Sequence, residues 1–278
     1  MVNILTDSCS DLSSELFEKY GVNVIRLSVF INNRTYSDGL DINPRQIYQS
    51  VNEFRLLPKT SAPAIGEFLD FFKKFPGESI FIGIGSKLSA TFQNATLAAE
   101  QLNDRKVYVV DSCNLSTGIG LLVLQAAEME SQGRSSDEIL NATLASVPKI
   151  HTSFVVDTLE YIYMGGRCSA IQNIVGSMLK IRPIIEVRTD GTMDIKEKSR
   201  GTRKKALTSL LDEFKTNLPQ INLHRVFITH SGCDGDAEYL KQELMGIATI
   251  EDLCITTAGA TISSHCGPNT IGILYLLK

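Results

Sequence analysis

The sequence predicts a two-domain α/β protein, with a mostly parallel sheet in residues 1–150 and a mixed or antiparallel sheet in residues 151–278. Three observations support this fold class. Strand patterns alternate with helix patterns in the first half, and a hairpin signal joins two strands in the second half. In addition, 43% of the 278 residues are hydrophobic, which suits one large or two ordinary globular domains with an apolar core.

Three apolar segments of the first half each precede a segment with helical periodicity. Gly21 and Gly133 stand where helix C-terminal caps belong, and Asn43-Pro44 and Ser135-x-x-Glu138 are typical of helix starts. The repeated strand and helix order indicates a parallel sheet. The strands are predicted at residues 3–6, 79–84 and 106–110, and the helices at 13–20, at 91–101 and in a segment ending near residue 133.

Residues 22–40 interrupt this alternation. Two strand patterns, at residues 22–31 and 34–36, flank Asn32-Asn33, a pair that suits the left-handed backbone of a tight turn. We therefore predict a hairpin inserted into the first domain.

The pattern changes from about His151 onward. Strands at residues 184–187 and 193–198 are joined by Thr189-Asp-Gly-Thr192, which is a hairpin signal. The last predicted strand is strongly apolar and is expected to be central or well covered. The other elements of this half are helices at 203–217 and 236–245 and strands at 225–229, 250–256 and 270–276.

Composition argues against several functional classes. No apolar run reaches the roughly 18 residues of a membrane helix and the N-terminus lacks a basic signal region, so we expect a cytoplasmic protein with peripheral or no membrane contact. The six cysteines and four histidines lack the spacing of a disulfide framework or a zinc site. The net charge of −4 argues against nucleic-acid binding. Neither a dinucleotide fingerprint nor a P-loop is present, so no cofactor is expected.

Small polar loops follow the predicted strands of the first half. They are Thr6-Asp7-Ser8, residues 85–89 and residues 111–114, and residues 59–63 form a fourth. The carboxyl ends of parallel strands form the ligand crevice of an open α/β sheet, although each of these residues also suits a simple capping role. Hydroxyl groups with few cations suit a single carboxylate, whose apolar remainder needs apolar walls. The candidates for these walls, which also suit ordinary core packing, are Ile65, Phe68, Leu69, Phe72 and Phe92.

Two further features carry chemistry of their own. His265 lies in a hydroxyl-rich segment just before the last strand, where it is either a site residue or a structurally bonded histidine. Basic residues occur at Arg167 and in a run from Lys196 to Lys205. They form either a solvated surface or a docking site for an acidic partner.

Taken in order, these segments resemble the DegV family of fatty-acid-binding proteins along the whole chain. Ala90 and Asn269 depart from the family pattern, in which glycine is usual, so the backbone is less permissive there. Cys168 lies where an aliphatic residue is common. The matching motifs are Thr6-Asp-Ser8 with Asp11-Leu12, Lys59-Thr-Ser-x-Pro63, Gly85-Ser-x-Leu-Ser-x-Thr-x-Gln93, Asp111-Ser112, Leu159-Glu-Tyr161, Gly165-Gly-Arg167-x-Ser169, Lys180-Ile-x-Pro183, Arg200-x-x-Arg203-Lys-Lys-Ala206 and His265-x-Gly-Pro268.

The resemblance implies two α/β domains with a long-chain fatty acid buried between them. It implies that Thr60 or Ser61, together with Ser89 and His265, binds the carboxylate. In related carriers a separate fatty acid kinase phosphorylates the bound acid, so the carrier itself performs no chemistry.

The same resemblance implies a docking surface for that kinase. Arg167, Arg200 and Arg203 are similar to the basic surface that such carriers offer to it.

Two other functions stay open at the level of the sequence. A serine hydrolase or acyltransferase acting on a lipid ester would use Ser89 as nucleophile, His265 as base and Asp7 or Asp111 to orient the base, although Ser89 lacks the usual elbow motif. A lipid-sensing transcriptional module would need a DNA-binding pattern, and we find none.

Overall fold

The computed structural model describes residues 2–172 and 181–278, apart from the side chains of residues 170, 172, 181, 199 and 200. The strands in this part of the chain are β1 (Asn3–Asp7), β2 (Asn23–Ile25), β3 (Ser28–Ile31), β4 (Arg34–Ser37), β5 (Lys59–Ser61), β6 (Glu78–Gly83), β7 (Lys106–Asp111), β8 (Ile150–Val155), β9 (Ile181–Val187), β10 (Met193–Arg200), β11 (Ile221–Ser231), β12 (Asp252–Thr257) and β13 (Thr270–Leu277). The helices are α1 (Ser14–Tyr20), α2 (Pro44–Phe54), α3 (Ile65–Phe72), α4 (Thr91–Ala99), α5 (Thr117–Ser131), α6 (Ser136–Ser146), α7 (Glu160–Gly165), α8 (Ser169–Gln172), α9 (Arg203–Asn217), α10 (Asp234–Ile247) and α11 (Ala260–Cys266).

The first sheet is fully parallel and has the strand order β2-β1-β6-β7. Leu5 of β1 pairs with Phe81 of β6, and helix α5 covers one face of the sheet while α3 and α4 cover the other. The strand order reverses beside β1, which places a crevice at the carboxyl ends of β1 and β6. The predicted parallel sheet is confirmed.

A small antiparallel sheet, β4-β3-β5, is inserted after β2. Asn32 and Asn33 have positive φ angles of 51° and 57°, so the predicted tight turn is confirmed. Thr60 of β5 pairs with Val29 of β3, and the segment predicted as a polar loop therefore begins as a strand. Three residues are too few to give a periodic signal.

The second sheet is mixed, with the order β10-β9-β8-β13-β11-β12. The apolar strand β13 lies between β8 and β11, as its composition predicts. The predicted hairpin between β9 and β10 is confirmed, and Asp190 accepts a hydrogen bond from the backbone N–H of Thr192 at 3.0 Å. Within residues 2–172 and 181–278, no helix is long and apolar enough to cross a membrane.

Helix α11 comes late in the chain but packs against the small sheet of the first half. Ala260 is fully buried in a cluster with Val29, Ile31 and Ile47. The division of the chain into domains at residue 150 stays a prediction, because this helix joins the two halves.

Candidate functional site

A cavity with two adjoining compartments lies between the two larger sheets. The inner compartment has an accessible wall that is almost entirely apolar, whereas the outer compartment has polar side chains and reaches the exposed residues Ala90 and Arg167. Residues that line both compartments are Leu115, Arg167, Met193, Ile262 and His265.

Alternate residues of β13 form one part of the inner wall. Thr270, Gly272 and Leu274 point to one face of this strand and line the compartment together with Thr152 and Phe154 of β8. A Cβ atom on Gly272 would lie 2.8 Å from the carbonyl oxygen of Ser153 and 2.9 Å from Cβ of Phe154, so β8 packs closely against β13 at this position.

Hydroxyl groups in the inner wall are turned away from the cavity by hydrogen bonds. Thr152 donates through Oγ1 to Oδ1 of Asn114 at 2.8 Å, and Thr270 donates through Oγ1 to the carbonyl of Cys266 at 2.9 Å. These partners satisfy the donors, so the threonines offer mainly methyl groups to a ligand. The compartment therefore suits an apolar chain.

The outer compartment brings together three of the predicted carboxylate ligands. Nε2 of His265, in the last turn of α11, lies 2.7 Å from Oγ1 of Thr60 on β5, and Ser89 lines the same space. Ser61 is the next residue on β5, where it is exposed and does not line the compartment. Successive strand residues point to opposite faces, which explains why Thr60 faces the cavity and Ser61 does not.

Burial keeps His265 neutral. Desolvation lowers the pKa of His265 to about 4, and the nearby charge of Arg167 acts in the same direction. Nδ1 of His265 has no hydrogen-bond partner among the described residues, and a Cβ atom on Gly165 would lie only 2.7 Å from it. The neutral ring can still donate one hydrogen bond to a ligand.

Ser89 and Arg167 offer further donors to the outer compartment. Oγ of Ser89 accepts a hydrogen bond from the backbone N–H of Thr91 at 3.3 Å and lies 2.8 Å from Oγ1 of Thr91. Arg167, a predicted docking residue, lines both compartments beside His265. It supplies a positive charge next to a neutral imidazole, an arrangement that favours an anion.

The predicted catalytic triad is not assembled in the described residues. His265 bonds to Thr60, and its second ring nitrogen has no carboxylate partner. The carboxylate of Asp7 accepts backbone hydrogen bonds from Cys9 and Ile84, both at 2.8 Å. The carboxylate of Asp111 accepts backbone hydrogen bonds from Ser86 at 3.0 Å and Cys113 at 2.9 Å. A hydrolase mechanism that relies on Ser89 and His265 is therefore not favoured.

None of the five candidate wall residues lines either compartment, and Ile65, Phe68, Leu69 and Phe72 take the alternative role of core packing. Phe68 and Phe72 of α3 are fully buried on the opposite face of the first sheet, where they pack against Leu5 and Phe81. Apolar periodicity on a helix marks a buried face but does not tell which neighbour covers it. The inner wall that sequence reasoning missed includes Leu115, Phe154, Ile162, Met193, Ile262 and Leu274.

The other two docking candidates have different outcomes. The side chain of Arg200 lies outside the described residues. Arg203 is mostly buried and forms ion pairs with Asp157 and Asp236, so its charge is compensated within the protein. Its role in docking stays a prediction.

Buried carboxyl groups at the end of β1 give a prediction about stability. Burial raises the pKa of Asp7 to about 7, although backbone hydrogen bonds from Ile84 and Cys9 act against the shift. A raised pKa favours the protonated folded form, so stability falls as pH rises through 7. Desolvation lowers the pKa of His265 and of His230. The folded state therefore keeps both rings neutral, and these two histidines reduce stability as pH falls below about 6.5, where unfolded histidines take up protons. Burial raises the pKa of Asp11 and Asp38 as well, so we expect thermal stability to fall as pH rises from 6.5 to 8.

Thermal unfolding between pH 6.5 and 8 tests this expectation. The contribution of Asp7 alone is about 1 kcal/mol over this range, or roughly 3 °C in Tm. Asp7→Asn should lower Tm throughout, because one backbone N–H loses its acceptor, and should also flatten the pH dependence. A Tm that increased steadily from pH 6.5 to 8 would contradict the assignment.

The arrangement defines a class of protein: two α/β halves that enclose an apolar cavity ending in a polar mouth, suited to an amphipathic ligand. The chain matches the family model described as an uncharacterised protein of the DegV family over residues 1–278. The chain belongs to the DegV family.

Curated and structural relatives agree with this assignment. A DegV domain-containing protein of Caldanaerobacter subterraneus is 31% identical over 277 residues, which cover 99% of this chain and 98% of the relative. A solved DegV family protein of Thermus thermophilus, described as binding fatty acid, is 30% identical with a TM-score of 0.91 and covers 100% of this chain and 99% of that one. DegV of Bacillus subtilis, described as a fatty acid binding protein, is 28% identical with a TM-score of 0.87 and covers 100% and 99%.

Proposed function

We propose that this protein binds one long-chain fatty acid, with the acyl chain in the inner compartment and the carboxylate in the outer compartment. The proposal rests on one observation: the apolar inner compartment adjoins a polar group formed by Thr60, Ser89, Arg167 and His265. A solved protein of Eubacterium ventriosum with 26% identity and a TM-score of 0.87, covering 100% of this chain and 99% of that one, is described as binding stearic acid, which supports the same ligand class.

The head group is proposed to be an ionised carboxylate. A charge in a space shielded from water must be paired or hydrogen-bonded, or the group takes up a proton instead. Arg167 provides the opposite charge, and Thr60, Ser89 and His265 provide donors. Ser61 is left out of the proposed ligand set because its side chain is exposed and outside the compartment.

We further propose that the protein is a carrier without catalytic activity, and that a separate fatty acid kinase phosphorylates the presented carboxylate. The support for a kinase partner is the family resemblance, together with the exposed position of Arg167 at the mouth. His265 is neutral, and its Nδ1 has no carboxylate partner among the described residues, which supports a binding role over a catalytic one.

Denaturing extraction and mass spectrometry of the purified protein test the proposal. Each buried methylene contributes about 0.8 kcal/mol, so we expect about one long-chain acid per chain to survive purification. With ATP alone the bound acid should stay unmodified, and addition of the cognate kinase should convert it to the acyl phosphate. A ligand-free preparation that took up none of a panel of acids would refute the proposed binding of fatty acid. Acyl phosphate formed without kinase would show that the protein has catalytic activity of its own.

A further inference from the structure

The side chain of Arg203, at the start of α9, is held inside the protein. It is 22% exposed, its Nε donates to Oδ2 of Asp236, and Nη1 lies 3.7 Å from Oδ1 of Asp157. Asp236 is the main partner of the guanidinium charge, since Asp157 is shared with Arg182, whose Nε donates to Oδ1 at 2.8 Å. Little of the charge of Arg203 reaches the surface. These contacts favour a role within the chain.

The third contact of Arg203 leads toward the cavity. Nη2 donates to the backbone carbonyl of Asn269 at 2.8 Å. Asn269 has a left-handed backbone with φ of 58°, its side chain donates to Oδ2 of Asp157 at 3.3 Å, and its N–H donates to the carbonyl of Ser231 at 2.7 Å. Arg203 and Asp157 together hold Asn269 in a backbone conformation that non-glycine residues rarely adopt.

Asn269 ends the short connection between α11 and β13, and His265 is in the last turn of that helix. The residues on either side of the connection, Cys266 and Thr270, line the inner compartment. Within the connection, a Cβ atom on Gly267 would lie 2.8 Å from the ring of Tyr161, so the backbone has little room to move. A shift of Asn269 is therefore passed to the end of α11.

The ring of His265 depends on this backbone for its position. Among the described residues its one hydrogen-bond partner is Thr60, since Nδ1 has none. If the end of helix α11 moves, no further hydrogen bond among the described residues keeps the His265 ring in place.

We infer that Arg203 is a positioning residue for the carboxylate site: it anchors the connection after α11 and thereby sets His265 against Thr60. The inference rests on the proposed function, since it assumes that this pair reads a carboxylate. The positioning role is separate from the predicted docking role, because it acts in the absence of any partner protein.

The test compares binding of hexadecanoic acid with binding of the alcohol of the same length, without kinase, in Arg203→Ala. The acid should bind about tenfold more weakly, as for the loss of one hydrogen bond to a charged group, while the affinity for the alcohol should change less than about twofold. In the double variant with His265→Ala, the loss should not exceed that of His265→Ala alone, because the two residues act through one contact.

Arg105→Ala is the matched control. Arg105 is 15% exposed and holds a connection far from the cavity, with Nη1 donating to the carbonyls of Phe72, Lys73 and Phe75 at 3.0 to 3.2 Å. This variant should lower Tm by a similar amount and leave the ratio of acid to alcohol affinity unchanged. Arg203→Lys keeps the charge but not the planar fork, so it should lose part of the acid affinity and serves if the alanine variant does not fold.

The outcomes of these experiments distinguish failure of the positioning role from failure of the proposed function. Equal weakening of acid and alcohol binding in Arg203→Ala, or unchanged binding of both, overturns the positioning role. An additive loss in the double variant also overturns it. A wild-type protein that fails to prefer the acid over the alcohol refutes the proposed function itself, before Arg203 is considered.

Discussion

Hexadecanoic acid is expected to bind roughly 3,000-fold more tightly than decanoic acid. The inner wall presents methyl and methylene groups, because threonines such as Thr152 and Thr270 direct their hydroxyl groups into internal hydrogen bonds. Transfer of each methylene from water to such a wall contributes about 0.8 kcal/mol, so six methylenes contribute about 5 kcal/mol. Calorimetric or fluorescence-displacement titration of acids with ten, twelve, fourteen and sixteen carbons measures this slope.

The slope should be a property of the inner compartment alone. Ser89→Ala removes a proposed head-group donor, so it should weaken every acid of the series by the same factor and leave the increment per methylene unchanged. If affinity did not increase with chain length, the acyl chain would lie outside the inner compartment, and the proposed mode of binding would be wrong.

Local signals made much of the fold predictable. The Asn32-Asn33 turn needs two residues that tolerate positive φ, and the helix α6 begins with a capping box in which Ser135 accepts from Glu138 N–H. The position of β13 at the centre of its sheet follows from its nearly continuous apolar composition. In each case the interactions that determine the element come from a few residues adjacent in sequence.

The sequence does not predict helix α11, because the interactions that stabilise it come from residues elsewhere in the chain. It has seven residues, four of which are serine, threonine or histidine, and these are weak helix formers. Its first N–H groups are bound by carboxylates distant in sequence: Gly259 donates to Asp11 at 2.7 Å and Ala260 donates to Asp38 at 2.6 Å. Tertiary capping of this kind cannot be read from a local window.

The candidate site shows the same division. His265, Thr60 and Ser89 were predicted from motifs, and the structure brings them to one compartment. Which of Thr60 and Ser61 lines the compartment depends on the pairing of β5 with β3, in which Thr60 lies opposite Val29. The apolar wall needed the packing of two sheets, which periodicity within single elements does not specify.

Removal of one head-group donor should weaken acid binding by about one to two orders of magnitude. Thr60→Val keeps the shape and β propensity of the side chain but removes the hydroxyl that lies 2.7 Å from His265. A hydrogen bond to a charged group contributes roughly 1.5 to 3 kcal/mol, so Thr60→Val and His265→Ala should each cost about 10- to 100-fold in affinity for the acid. Equilibrium titration and exchange rates are the measurements, since the tail retains some lipid during purification.

The alcohol of the same length and the neighbouring Ser61 provide the controls. The alcohol has no charge to lose, so its affinity should change little in either variant, and the loss is then specific to the carboxylate. Ser61→Ala alters an exposed side chain on the other face of the same strand and should bind the acid like the wild type. Equal losses for acid and alcohol would mean that Thr60 and His265 shape the cavity without reading the head group. Unchanged acid affinity in both variants would place the carboxylate elsewhere.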